Sequence, residues 1–201
     1  MTFLSNFFEI ISIKDAYDQL VKGIKDSGQI VVTFDDGYQD VYKNVFPFMK
    51  AKGFPFTIFV STELISSDYK TYCNWNQIIE MSENPIVTIG SHGKHHIDLT
   101  SLNYGEEKNE LLKSKEDLES KLKLSVEFFA YPLGSTNEKI CIEAAENYKL
   151  AFIDNNYIYK EDRFRIPRVS INSDQENLKA FIQLLNYSIF INHQCSPSAE
   201  S

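Results

Sequence analysis

The sequence predicts an α/β protein built on a mainly parallel sheet. Two observations carry this. Short apolar runs rich in β-branched and aromatic residues alternate along the chain with longer amphipathic stretches. No internal repeat or linker breaks the alternation, so it reads as one domain over residues 1–193. Such alternation implies parallel strands joined by crossover helices. The residues alone leave an open doubly wound sheet and a closed barrel as alternatives.

Taken in order, residues 30–34 (IVVTF) form an apolar run ending at Asp35-Asp36-Gly37, which predicts a buried first strand. Residues 41–52 carry Val41, Val45, Phe48 and Met49 at helical spacing and end at Gly53, a natural C-cap. Pro47 makes this helix irregular or kinked. Residues 56–60 (FTIFV) predict the second strand. Residues 74–82 predict a short helix capped by Asn74. Residues 86–89 (IVTI) predict a third strand running into Gly90-Ser91-His92. Residues 105–122 give the clearest helix, with Leu111, Leu112, Leu118 and Leu122 in one stripe and charged residues around it. Residues 127–131 (EFFAY) predict a fourth strand stopped by Pro132, residues 138–148 a helix, and residues 150–153 a fifth strand. Residues 164–171 are extended, with Pro167 confining them to an edge or a broken strand. Residues 176–187 predict a closing helix, and the polar residues 194–201 a disordered tail.

The chain has 201 residues, 43% hydrophobic and 24% charged, which suits a soluble domain with a substantial core. The net charge is -8 and no Lys/Arg cluster stands out, which argues against nucleic-acid binding. Lys113, Lys115, Lys121 and Lys123 are interleaved with Glu116, Asp117 and Glu119, as on a solvated helix face. Cys73, Cys141 and Cys195 are too few and too scattered for a disulfide framework or a thiolate zinc site, so each is read as a buried apolar residue. Asn6, Glu9, Lys14 and Asp15 interrupt the N-terminal segment, which therefore lacks the form of a secretory signal. No run is long enough to cross a bilayer. The expectation is a cytoplasmic enzyme, or an exported one whose leader has been removed.

Two motifs carry chemistry. Asp35 and Asp36 are adjacent carboxylates at a strand end, and a cation would relieve their repulsion. Taken alone, Asp-Gly reads more readily as a surface turn. The second motif, Gly90-Ser91-His92-Gly93-Lys94-His95-His96, holds three of the chain's four histidines. His92 and His96 are spaced to put both imidazoles on one side of a curled loop. With a carboxylate from another strand end, a mixed site for zinc or another first-row divalent ion is the better account. Two His and one Asp leave coordination positions open for water and substrate.

In this order, TFDDG, GSHxxxH and FAYPxG resemble the motifs of the polysaccharide deacetylases of carbohydrate esterase family 4, the NodB-like homology domain, in its FAYPxG branch. VVTFDDGYQDVY, FPFTIFV, NWNQIIEM and RIPRV also fall in the family's order, so the resemblance runs from about Ile10 to Tyr187. It implies a distorted, seven-stranded TIM-like (β/α) barrel, incomplete at its N-terminus or completed by a homo-oligomeric partner. It implies Asp35 as general base, Asp36, His92 and His96 as metal ligands, and the Leu133 backbone N–H as an oxyanion donor. The implied cofactor is Zn2+, with Co2+, Ni2+ or Mn2+ as alternatives. The implied reaction removes N-acetyl groups from an N-acetylhexosamine polysaccharide or glycan precursor. The alternatives are an O-acetyl esterase acting on a polymer such as xylan, and an inactive carbohydrate-binding domain.

The chain departs from the family pattern in places. Gly93 follows the first histidine, where Ser or Thr is frequent. Ala130 stands where many members carry an arginine that pairs with the base, and Arg168 or Arg165 is the candidate replacement. The late Leu-x-His motif that supplies a general acid is not evident, and His193 in IFINHQ does not match it.

Overall fold

The computed structural model describes residues 4–24, 28–67, 69–103, 105–154 and 162–168. The predicted closing helix at 176–187, His193, Cys195 and the tail lie outside the described residues. Eight short strands are present among them: β1 (Glu9–Ile10), β2 (Gln29–Ile30), β3 (Thr33–Phe34), β4 (Phe56–Val60), β5 (Val87–Ser91), β6 (Phe128–Ala130), β7 (Leu150–Ile153) and β8 (Ile166–Pro167). The helices are α1 (Ile13–Val21), α2 (Phe46–Lys52), α3 (Thr62–Ser66), α4 (Trp75–Ser82), α5 (Glu106–Leu122) and α6 (Glu138–Asn147). No helix among the described residues is long and apolar enough to cross a membrane.

Strands β3 to β8 form one sheet in which every pair is parallel and spatial order follows chain order. A doubly wound sheet would reverse its strand order at a switch point. This one never reverses, which is barrel winding. The sheet is also rolled. Five inter-strand steps of about 4.8 Å would hold flat edges about 24 Å apart. Yet Arg168, just after β8, hydrogen-bonds Asp35, just after β3, at 2.7 Å.

Side chains of the rolled sheet divide between two cores, as strand alternation requires. Phe59, Phe128, Ala130, Leu150 and Phe152 cluster inside with Ile13 of α1. Ile58, Val60, Ile89, Phe129, Ala151 and Ile153 pack on the other face against residues of α2, α4, α5 and α6. Helix α1 was not anticipated from the sequence. Ser12 caps it, accepting from the Asp15 N–H at 3.1 Å. Its Tyr17 packs edge-on against Phe128, so it covers the barrel end where β6 and β7 begin. The opposite end, where the strands finish, is left for the motifs.

The predicted first strand needs correction. Residues 30–34 are half-buried and split between two sheets. Ile30 still pairs with β1, accepting from the Ile11 N–H, whereas Val32 already accepts from Thr57 of β4. The run changes partners partway along, and its second half is the edge of the main sheet. Pro47 acts as foreseen: residues 41–45 form a π-helical turn, and α2 restarts with proline in its first turn and ends at Gly53. Asn74 caps α4 in a full capping box with Gln77.

Candidate metal centre

Asp35 and Asp36 leave the end of β3, and His92 leaves the end of β5. His96 follows on the same loop. One ligand atom from each of Asp36, His92 and His96 lies within 4.8 Å of the others. Asp36 Oδ1 is 3.0 Å from His96 Nε2 and 3.4 Å from His92 Nε2. That oxygen is buried and has no hydrogen-bond partner. Burying an unpartnered carboxylate oxygen is costly, and a cation shared with the imidazoles removes the cost. The donor set of two nitrogens and one oxygen suits zinc or a neighbouring divalent ion.

His92 is prepared for this. His92 is 2% exposed, and its Nδ1 lies 2.8 Å from the Ala130 carbonyl oxygen. A carbonyl only accepts, so Nδ1 carries the proton and the Nε2 lone pair faces Asp36. Burial pushes the His92 pKa down, against the pull of Asp35 and Asp36, and keeps the ring neutral. The adjacent Asp36 carboxylate pushes the His96 pKa up.

Asp35 points to a different partner. Arg168 grips it with both guanidinium nitrogens, Nη1 to Oδ1 at 2.7 Å and Nη2 to Oδ2 at 2.6 Å. Nη1 also donates to Thr33 Oγ1 at 3.3 Å, and the guanidinium lies over the Phe59 ring. Burial would raise the Asp35 pKa, but the hydrogen bonds and charge of Arg168, with His92 and His96, outweigh it and hold the carboxyl below its ordinary range. Of the two candidate arginines, the structure brings Arg168 to Asp35. Arg165 instead binds Asp162 and Glu138.

The left-handed backbone positions gather here. Four non-glycine residues among those described have positive φ: Asp36 (67°), His96 (55°), Leu133 (57°) and Lys123 (57°). Lys123 ends α5, whereas the other three sit in the motif loops. Unfavourable backbone of this kind concentrates at functional sites. Gly37 follows Asp36 at φ 80°, and a Cβ there would lie 2.7 Å from Ile65 Cδ1. Cys73 braces this turn, its N–H donating to Gly37 O and its Sγ to Tyr38 O. Burial pushes the Cys73 thiol up to about 11, and Cys73 lies outside the Asp36–His92–His96 cluster. Leu133 lies in the loop after Pro132, with its side chain exposed. Tyr131 is fully buried, donating to Phe164 O at 3.0 Å. Tyr38 is partly exposed and stacked on Tyr72. Trp75 donates to Ser66 and packs against the outer core.

The sequence reading missed Glu110, a charge on the leucine-striped helix that proves to be buried against the histidine loop. Its register could have revealed it. Glu107, Glu110, Leu111, Ser114 and Leu118 repeat at helical spacing, and all are buried on one face of α5.

Fold and site define a singly wound α/β barrel with a candidate two-histidine, one-aspartate metal centre at its strand ends. The chain belongs to the polysaccharide deacetylase family, whose sequence profile matches residues 22–153. It is 30% identical over 142 residues to YxkH of Bacillus subtilis, covering 70% of this chain and 50% of that protein. It is 27% identical over 186 residues to the poly-beta-1,6-N-acetyl-D-glucosamine N-deacetylase of Staphylococcus epidermidis, covering 83% of this chain and 62% of that one. The chain thus spans less than two thirds of the length of either relative. The fold is shared with the Streptococcus pyogenes deacetylase PplD, solved in complex with acetate, at a TM-score of 0.81 and 23% identity over 90% of this chain and 81% of that one.

Proposed function

We propose that this protein is a metal-dependent hydrolase that removes N-acetyl groups from an N-acetylhexosamine polysaccharide or glycan precursor. One observation carries the reading: a carboxylate held ionised by Arg168 sits beside a separate Asp36–His92–His96 cluster. His92 Nε2 is 3.9 Å from Asp35 Oδ2, so the proposed base lies directly beside the proposed ligand set. The likeness to an N-deacetylase of poly-N-acetylglucosamine favours the amide over the ester as substrate.

Asp36, His92 and His96 would hold a divalent ion, most simply Zn2+. When bound, such an ion polarises the acetyl carbonyl and makes water acidic enough to lose a proton near neutral pH. Asp35 takes the proton of the attacking water, and that proton passes to the sugar nitrogen as the C–N bond breaks and acetate is released. Arg168 keeps that carboxylate charged and fixes its plane through two parallel hydrogen bonds. The Leu133 N–H donates to the oxygen that gains charge in the tetrahedral intermediate, an interaction typically worth about 2.7–4 kcal/mol.

Acetate release from a panel of N-acetylated and O-acetylated glycans tests this. Asp35→Asn should abolish turnover while retaining metal, and His96→Ala should lose both. Full activity of Asp35→Asn would refute the base. Release from O-acetylated substrates alone would make the protein an esterase.

A further inference from the structure

We propose that Glu110 is a positioning residue for the metal centre, clamping the main chain between the two histidine ligands. The inference rests on the metal reading above and extends it to a residue outside the motifs. Glu110 is 6% exposed on α5. Its Oε2 accepts the backbone N–H of Lys94 at 3.0 Å and of His95 at 2.9 Å, and its Oε1 accepts from His95 Nδ1 at 2.5 Å. A buried carboxylate is expensive unless its lone pairs are filled, and here three donors converge on it. Charge-assisted bonds of this type are roughly twice as strong as neutral ones.

The clamp completes a frame around the loop. The His92 N–H donates to Val60 O at 2.9 Å, and His92 O accepts from Ser61 Oγ at 2.9 Å. The Gly93 N–H reaches Ser91 Oγ, and Gly93 O accepts from the Thr62 N–H. Lys94 O accepts from the Glu63 N–H at 2.9 Å. The start of α3 therefore holds the carbonyls of this loop, and Glu110 holds its next two amides. The peptides leading into His96 are fixed from both sides. This lets His96 keep its φ of 55° with Nε2 beside Asp36. Without Glu110, two part-buried amides lose their acceptor and the left-handed turn has less to hold it.

Glu107 supplies the control. It is equally buried on the same helix face, but it pairs with Lys139 of α6. The experiment is Zn2+ titration of metal-stripped wild type, Glu110→Gln and Glu107→Gln by chelator competition, with thermal unfolding of each. Glutamine keeps the size of the side chain but offers one acceptor oxygen for three donors. Glu110→Gln should weaken Zn2+ binding on the order of 10-fold, the scale of a supporting-residue loss. Glu107→Gln should lower the unfolding temperature with Zn2+ affinity unchanged. Equal Zn2+ affinity in the two variants overturns the clamp. Wild type that takes up no Zn2+ overturns the metal reading instead. If Glu110→Gln does not fold, amide hydrogen exchange of the metal-free wild type decides. Protected Lys94 and His95 amides support the clamp, and exchange at the rate of open loops overturns it.

Discussion

The loop after β5 sits mid-sheet, on a strand whose residues are all buried, whereas the loop after β3 leaves a half-buried edge strand. Main-chain hydrogen bonds hold the histidine loop on both sides. The aspartate loop depends on a left-handed turn, on the Cys73 brace and on one arginine arriving from the far edge of the sheet. The imidazoles are thus placed by local packing, and Asp35 is placed by closure of the barrel. Metal retention and proton transfer should fail separately.

The largest expected effect tests the shared point of the two loops. Asp36→Asn should weaken metal binding more than about 100-fold, beyond the range of a supporting residue, while the protein stays folded. Metal content after dialysis checks this.

Next is the seam. In Arg168→Ala the burial of Asp35 is offset only by His92 and His96, so its pKa rises. The acid limb of kcat/KM should move up by about 1–3 pH units, the usual effect of an arginine neighbour, with metal content unchanged. The depressed pKa also makes the pair stabilising above the ordinary carboxylate range, a contribution lost as pH falls through the folded-state pKa. The stability gap between wild type and variant should therefore close in acid. A limb that stays in place would mean that Arg168 does not set the charge of the base.

Gly37→Ala probes the turn. A side chain in the left-handed region costs about 1–2 kcal/mol, to which the Ile65 contact adds. The unfolding temperature should fall by several degrees. Smallest is Ser61→Ala in the histidine loop. Losing the donor to His92 O should cost about 1 kcal/mol and leave metal affinity unchanged, because the rest of the frame remains. A large loss of affinity there would show that the frame is not redundant.

Strands β4 and β7, and the Asn74 cap, were legible because local rules decide them. A continuous apolar run bounded by turns admits few other readings. The run at 30–34 misled because partner choice is a tertiary matter that periodicity does not encode. Helices α1 and α3 were overlooked: α3 spans five residues, and α1 is recognised mainly by what Ile13 and Tyr17 cover. The ligand triad could be proposed because its residue types are rare and clustered. Arg168 could be named only as one of two, since the choice depends on how the sheet rolls. Glu110 was hidden because a glutamate among lysines looks solvated until its helical register is compared with the leucines.

The grip of Arg168 on Asp35 spans 133 positions of sequence. On the proposed reading, a chain that stops short of residue 168, or whose final strand has come undone, would keep the Asp36–His92–His96 cluster and lose the arginine that holds Asp35 ionised. Readiness to react would then be tied to completion of the fold.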